Sequence, residues 1–444
     1  MAERHFLTRF CAATFAVICG IVPAFASESL DQVLLRAFET NPTIHAERAR
    51  QRATGELKAQ AWANALPQIS AAGSYQNVET TTTFASPDIP FPTEADFSPL
   101  TTQVQGQLTL FNGFRNVNQI RQAAARVRAG GAQLAAVEQD VLLQVATAYF
   151  DVVRDSGVYK ANVNNVDVLV SQQKEAQLRF DVGELTRTDL AQAAARLAGA
   201  RAQLTTSQAS LSISRARFAE LTGGLPGTLD DNPPLPPVPE SREAALAQAA
   251  ILAPPVLAAR ANEESSRKQI AIAKSVFTPD VALTSTYQYS DEPSAFTATD
   301  EQFSYGVRAT IPIFQGGLNF SRVREARALN DADRRRVEEA ERRTQAIVTS
   351  AWEQLQAANA NIVSAKAQRE ANELALQGVL REAQLGARTT LDVLNAEQEY
   401  LNAEVALANA TRDAHVALFS LLSGTGLLTI ETVARTNHDA DVEK

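Results

Sequence analysis

Leu385-Gly386-Ala387-Arg388-Thr389-Thr390-Leu391-Asp392-Val393-Leu394 has a counterpart 203 residues earlier in Val182-Gly183-Glu184-Leu185-Thr186-Arg187-Thr188-Asp189-Leu190. In each stretch the glycine can end a helix at positive φ, and a threonine, Thr188 or Thr389, can cap the helix that follows. Both therefore read as tight turns between two helices. The same shift of 203 relates Phe111 and Tyr149 to Phe314 and Trp352, whereas Pro42, Pro67 and Tyr75 recur as Pro254, Pro279 and Tyr287 at a shift of 212. A shorter loop after Tyr287 in the second repeat accounts for the difference. The chain is thus read as two repeats of one unit, 27–230 and 241–428. Between them lies the Pro-rich connector 231–240, which cannot be helical and is expected to run extended.

The helices before and after each turn have different characters. From 113 to 182 no proline interrupts an alanine-rich run of good helix formers. One continuous helix there would be about 105 Å long, too long for the interior of an ordinary globular domain. Its repeat is 316–385. The helix after the first turn, 189–222, has a seven-residue register, with Leu190, Leu197, Leu204, Leu211 and Phe218 in one row and Ala193, Ala200, Ser207, Ser214 and Leu221 in another. The second helix, 390–422, keeps it with Val393, Tyr400, Leu407, Ala414 and Leu421 beside Ala396, Ala403, Ala410 and Ala417. Large residues opposite small ones permit close knobs-into-holes packing. A further row, Leu394, Leu401, Ala408 and Leu422, gives this helix two flanks to bury, which suits a curved palisade. An antiparallel bundle without a lumen remains the alternative.

Upstream of each long helix the hydrophobic period changes to two. Thr102, Val104, Gly106, Leu108 and Leu110 alternate with polar residues, as do Ile69, Ala71, Gly73 and Tyr75. In the second repeat Val281, Leu283, Tyr287 and Tyr289 form one face of a strand, and Phe303, Tyr305, Val307, Ala309, Ile311 and Ile313 form one face of its partner. The pattern predicts two hairpins, 68–111 and 280–314, with strands of about ten residues. Loops 77–99 and 291–301 are rich in Thr, Pro, Asp and Ser. Such strands suit an outer-membrane barrel or, equally, soluble hairpins packed on a core. Four strands cannot close a barrel, but three protomers would supply twelve.

Composition narrows the classes further. The 444 residues carry 41 Lys+Arg against 50 Asp+Glu, a net charge of −9, which argues against a nucleic-acid partner. Arg4 and Arg9 precede an apolar run ending in Ala24-Phe25-Ala26, so 1–26 reads as a cleaved secretory signal. Both cysteines, Cys11 and Cys19, would leave with it, and Ile18 argues against lipidation at Cys19. His45, His415 and His438 are isolated, and neither a phosphate-binding glycine loop nor a Ser-His-Asp order is present, so no enzymatic activity, cofactor or metal is expected. The charged run from Arg322 to Arg343 reads as a solvated helix face, and 429–444 as a polar tail.

In this order of elements the chain resembles the TolC-like outer-membrane factors, the trimeric exit ducts of tripartite efflux pumps and type I secretion systems. The resemblance covers nearly all of the chain after the signal. Its most specific part is Gly386 to Ala396, continued by Tyr400-Leu401-Asn402-Ala403 and Leu407-Ala408-Asn409-Ala410, with Leu221-Thr222-Gly223 and Leu422-Ser423-Gly424 closing the two repeats. It implies an α+β membrane protein, a homotrimer with a 12-stranded β-barrel in outer-membrane lipid continued by a 12-helix periplasmic α-barrel. It further implies a passive conduit that docks with a periplasmic adaptor and an inner-membrane pump of ABC or RND type. The family's entrance arginine matches Arg388, its partners match Thr188 and Asp189, and a tyrosine of that network is replaced by Ala383. Of two acidic rings at the entrance, Asp392 matches the first and Asn395 replaces the second. Mutual repulsion among three Asp392 carboxylates would raise their pKa. Adaptor docking would fall at the tips, near Gly183 and Gly386. The rival reading is a structural or adhesive periplasmic coiled-coil protein without a pore.

Overall fold

The computed structural model describes residues 28–81, 94–294 and 296–433. The signal assigned to 1–26 and the tail beyond 433 lie outside them. Two short helices, α1 (Leu30–Thr40) and α2 (Pro42–Ala63), lead into β1 (Gln68–Tyr75), β2 (Val78–Thr81), β3 (Glu94–Phe97) and β4 (Leu100–Phe111). The first repeat continues with α3 (Arg115–Asp181) and α4 (Arg187–Thr222). The second comprises α5 (Arg242–Leu252), α6 (Pro254–Lys274), β5 (Asp280–Ser294), β6 (Thr297–Thr310), α7 (Leu318–Gln384) and α8 (Thr390–Thr425). Pro42 and Pro254 sit in the first turn of α2 and α6, where a missing N–H costs nothing.

Four strands form one antiparallel sheet in the order β1-β4-β5-β6, so the hairpins of the two repeats are joined through β4 and β5. The β2/β3 pair extends the first loop. The register brings the apolar positions of all four strands to one face. Ala71 lies beside Val104, Val104 beside Tyr287, and Tyr287 beside Phe303. One row up, Ile69, Gly106, Ser285 and Tyr305 align. The opposite face aligns Ala72, Gln103, Gln288 and Gln302, and then Ser70, Gln105, Thr286 and Ser304. The apolar face is open, with Ile69 76%, Phe303 64% and Tyr305 78% exposed. A soluble sheet buries such a face; among the described residues no element covers it.

Two sequence expectations about the strands are corrected. At the end of β4 the register slips between Thr109 and Phe111, so Phe111 takes the place opposite Val281 and Leu110 is left without a partner of its own on β5. Ile311 and Ile313 are not in a strand: β6 ends at Thr310, opposite Asp280, the first residue of β5, so no partner extends beyond it. The second loop is also shorter than 291–301, since pairing runs on to Ser294 and Thr297.

The helices form the rest of the molecule. At 67 residues each, α3 and α7 are about 100 Å long. Next to the sheet, α2, α3, α6 and α7 stand side by side; toward the far end α4 packs on α3, and α8 packs on both α7 and α3. Most of the buried residues of these helices belong to the heptad rows: Ala193, Leu197, Ala200, Ser207, Leu211, Ser214, Phe218 and Leu221 on α4, and Val393, Leu394, Leu401, Ala403, Ala414, Ala417, Leu421 and Leu422 on α8, while Leu190, Leu204, Tyr400 and Leu407 are half-buried. The main core lies midway along the helices, where α1, the connector and residues 427–433 pack against them. Val33, Leu34, Tyr149, Phe150, Phe218 and Phe419 are fully buried there. The Tyr149 hydroxyl accepts from the Asp230 N–H at 3.0 Å and lies 3.0 Å from the Asp230 carbonyl and 3.2 Å from that of Glu28. Arg412 on α8 reaches Asp151 on α3 at 2.8 Å and ties the two repeats together.

The connector is extended but not free, since Pro233, Pro236 and Pro239 are buried. The described part of the segment assigned as a polar tail, 429–433, is not purely polar, because Val433 belongs to the core and Ile430 packs against it. Gly424 does not close the second repeat. It lies inside α8, where an added Cβ would come within 3.3 Å of Ile347, and the left-handed cap is Gly426 at φ +83°. Residues 242–277 are apolar enough to cross a membrane by composition, but Pro254 divides them into α5 and α6. Ala245, Ala249, Ala253 and Val256 of this stretch are buried against α7 and α8.

Candidate functional site

At the ends of the long helices, away from the sheet, the two turns share one construction. In the first, the N–H of Gly183 donates to the Phe180 carbonyl at 2.9 Å and that of Glu184 to the Arg179 carbonyl at 2.8 Å. In the second, Gly386 donates to Ala383 at 3.0 Å and Ala387 to Glu382 at 2.9 Å. These paired bonds end a helix through a left-handed residue, and φ is +85° at Gly183 and +76° at Gly386. Nothing lies within 4 Å of where a Cβ would sit on either glycine, so backbone conformation requires them rather than packing.

Reciprocal caps open the next helices. Thr389 accepts from the N–H of Asp392, and the Asp392 carboxylate accepts from the Thr389 N–H at 3.0 Å and its hydroxyl at 2.8 Å. Thr186 and Asp189 repeat this at 3.0 and 2.7 Å. The cap of α4 is therefore Thr186, not Thr188, because only a threonine three residues before the aspartate can exchange bonds with it. Thr188 is exposed on the first turn of α4. These bonds act on the charges. The N–H and hydroxyl of Thr389, with a smaller contribution from Arg388, hold the Asp392 carboxyl below the usual carboxylate range. Asp189 is lowered in the same way by Thr186. Within one chain the Asp392 shift is thus opposite in sign to the one expected from a ring of three carboxylates.

The proposed gate residues are close to their own turns. Arg388 Nε donates to Glu382 Oε2 at 2.7 Å, and this bond holds the guanidinium charged. Among the described residues no hydrogen bond or ion pair within the chain joins Arg388 to Thr188 or Asp189. The side-chain bond that does cross between the repeats here runs from Arg196 Nη2 on α4 to Asn395 Oδ1 on α8, at 2.9 Å. Below it Leu197 and Leu394 pack with Leu169 and Ala200 in a small separate cluster. The partners are 199 residues apart, and no local pattern marks Arg196. Among the described residues no group of three His, Cys, Asp or Glu side chains could hold a metal ion.

Taken together, a sheet with an uncovered apolar face and a polar reverse, continued by helices some 100 Å long, defines a membrane channel with a long extramembrane extension. The comparisons with known proteins agree. The family described as Outer membrane efflux protein matches residues 33–224 and 245–427. The outer membrane efflux protein BepC of Brucella suis biovar 1 is 31% identical over 410 residues, covering 92% of this chain and 87% of that protein. The outer membrane protein TolC of Vibrio cholerae is 26% identical over 457 residues, covering 99% and 100%. Among solved structures, the outer membrane protein VceC of Vibrio cholerae superposes with a TM-score of 0.75 at 21% identity, covering 89% of this chain and 96% of that one. The chain belongs to the outer membrane efflux protein family. It is an efflux channel of the outer membrane with a periplasmic portion, and not an enzyme.

Proposed function

We propose that three copies of the chain assemble by pairing β6 of one protomer with β1 of the next, which closes a 12-stranded barrel. The sheet carries this reading. Among the described residues of the chain β1 and β6 each have one unpaired edge, and every residue of β6 is exposed. An open edge cannot persist in hydrocarbon, where unsatisfied N–H and C=O groups cost several kcal/mol each. Ring closure satisfies both edges with one contact. It turns the Gln/Ser/Thr face toward a water-filled lumen and the aromatic face toward lipid. The helices α3, α4, α7 and α8 of three protomers then continue the lumen as a 12-helix tube across the periplasm.

The tube is a passive conduit, closed at the tips and opened by an adaptor attached to an inner-membrane pump of ABC or RND type. The adaptor docks around Gly183 and Gly386, where the space beside the backbone is open. Arg388 contributes to closure by exchanging Glu382 for Thr188 and Asp189 of the other hairpin, a charge-assisted link. Asp392 supplies one acidic ring at the entrance. Cargo selection lies with the pump, so proteins, peptides and drugs all fit the lumen. Light scattering of the detergent-purified protein is expected to give a mass of three chains. A monomer that dissolves without detergent would instead support the coiled-coil rod.

A further inference from the structure

The tips of the two repeats are joined at one place that the gate residues above do not use. α4 begins at the first turn and α8 at the second, and α3 lies between them for most of their length, so they meet only over a short stretch. There Arg196 donates to Asn395 at 2.9 Å. Leu197 and Leu394 beneath that bond are 3% and 2% exposed, with Leu169 from α3 completing the contact. The side-chain hydrogen bonds that Arg388, Asp189 and Asp392 make within the chain stay at their own turns. Among the described residues, Arg196 and Asn395 therefore supply the side-chain hydrogen bond between α4 and α8 near the tips. The repeat-related positions, Glu399 and Gln192, lack a guanidinium, so the arginine–asparagine bond belongs to one of the two seams between repeats.

We infer that Arg196 and Asn395, seated on the Leu197–Leu394 contact, form the latch within each protomer that holds the periplasmic entrance closed. The inference rests on the reading of the chain as a gated duct. Opening the tips requires the α7/α8 pair to move relative to α3 and α4, and that motion breaks this bond and opens this apolar contact three times per trimer. The latch also gives Asn395 a role. At the position of a second acidic ring, this chain has an uncharged acceptor facing a guanidinium, a hydrogen bond rather than a lumenal charge. Arg196 and Asn395 are thus positioning residues, acting on the entrance and not on cargo.

Planar-bilayer conductance of the purified full-length channel tests this with four proteins: wild type, Arg196→Ala, Asn395→Asp and the exchange Arg196→Glu with Asn395→Arg. Losing a hydrogen bond to a charged group raises the population of the open entrance about fivefold or more in Arg196→Ala. Asn395→Asp turns the bond into an ion pair and lowers the conductance below wild type, whereas an acidic ring at that position would raise cation conductance. The exchange variant rebuilds a charge-assisted pair with the guanidinium on α8 and the acceptor on α4, so its conductance falls from the Arg196→Ala level to that of wild type or below. Both positions are exposed, so helix content by circular dichroism should be unchanged in all four. An unaltered current in folded Arg196→Ala, or a rise in Asn395→Asp, overturns the latch. If Arg388→Ser opens the channel while Arg196→Ala does not, only this latch fails. If no variant and no wild type conducts, the duct reading fails with it.

Discussion

Three glycines in this chain occupy three different physical situations, and replacing each with alanine should give three different results. Gly424 lies inside α8 with helical dihedrals, and an added Cβ would approach Ile347 Cγ2 at 3.3 Å and Val348 Cγ2 at 3.5 Å. Alanine gains about 1 kcal/mol of helix propensity there, and mild crowding of two side chains offsets it, so the net effect is near zero. Gly386 has φ +76° and empty space around the Cβ position, so only the left-handed backbone is penalised, by about 1–2 kcal/mol. Gly426 has φ +83°, and its Cβ would fall 2.5 Å from the Leu252 carbonyl oxygen and 2.7 Å from its carbon. Backbone cannot move aside as a side chain does, so overpacking adds about 1–3 kcal/mol to the same left-handed cost. At roughly 2 °C per kcal/mol, Gly426→Ala should unfold about 4–10 °C below wild type, Gly386→Ala about 2–4 °C below, and Gly424→Ala close to it. Circular dichroism at 222 nm in detergent measures the three midpoints together. A Gly426→Ala protein as stable as Gly386→Ala would refute the close approach of α8's end to the α5/α6 junction.

Other expectations follow from the tips and the core. Arg388→Ser should raise single-channel conductance, as one half of the proposed closure is removed. The Asp392 carboxyl is lowered by the Thr389 N–H and hydroxyl, so its cap contributes fully above the unfolded-state carboxylate pKa and is lost as pH falls through the lower folded value. Asp392→Asn should therefore remove the part of the pH dependence of tip protease resistance that lies below about pH 4. Tyr149→Phe should cost about 1–3 kcal/mol by leaving the Asp230 N–H without its hydroxyl partner, and limited proteolysis should then cut at the connector sooner than in wild type.

Much of the architecture is legible from periodicity, because the features that matter are repetitive. The two-residue alternation marks residues that the sheet register gathers onto one face, and the heptad rows of α4 and α8 are the rows the helices bury. Where local chemistry was ambiguous, tertiary geometry decided. Thr186 and Thr188 are both plausible caps, but only Thr186 is spaced to exchange bonds with Asp189. Gly424 and Gly426 are both plausible helix ends, but the left-handed residue that ends α8 is Gly426, at φ +83°, while Gly424 packs on α7. The slip at Leu110 has no signature in an alternating strand. The Arg196–Asn395 bond joins residues far apart in sequence, with no spacing rule to announce it. Arg388 illustrates the opposite case: its motif was evident, while its partner within the chain, Glu382, lies on the helix before the turn.

The central claim is that this chain forms a pore. Single-channel recording of the detergent-purified protein in planar bilayers tests it most directly. The account predicts a small, cation-selective conductance that grows when Arg388 is replaced by serine. A folded, verified oligomer that passes no current, with or without that substitution, would contradict it.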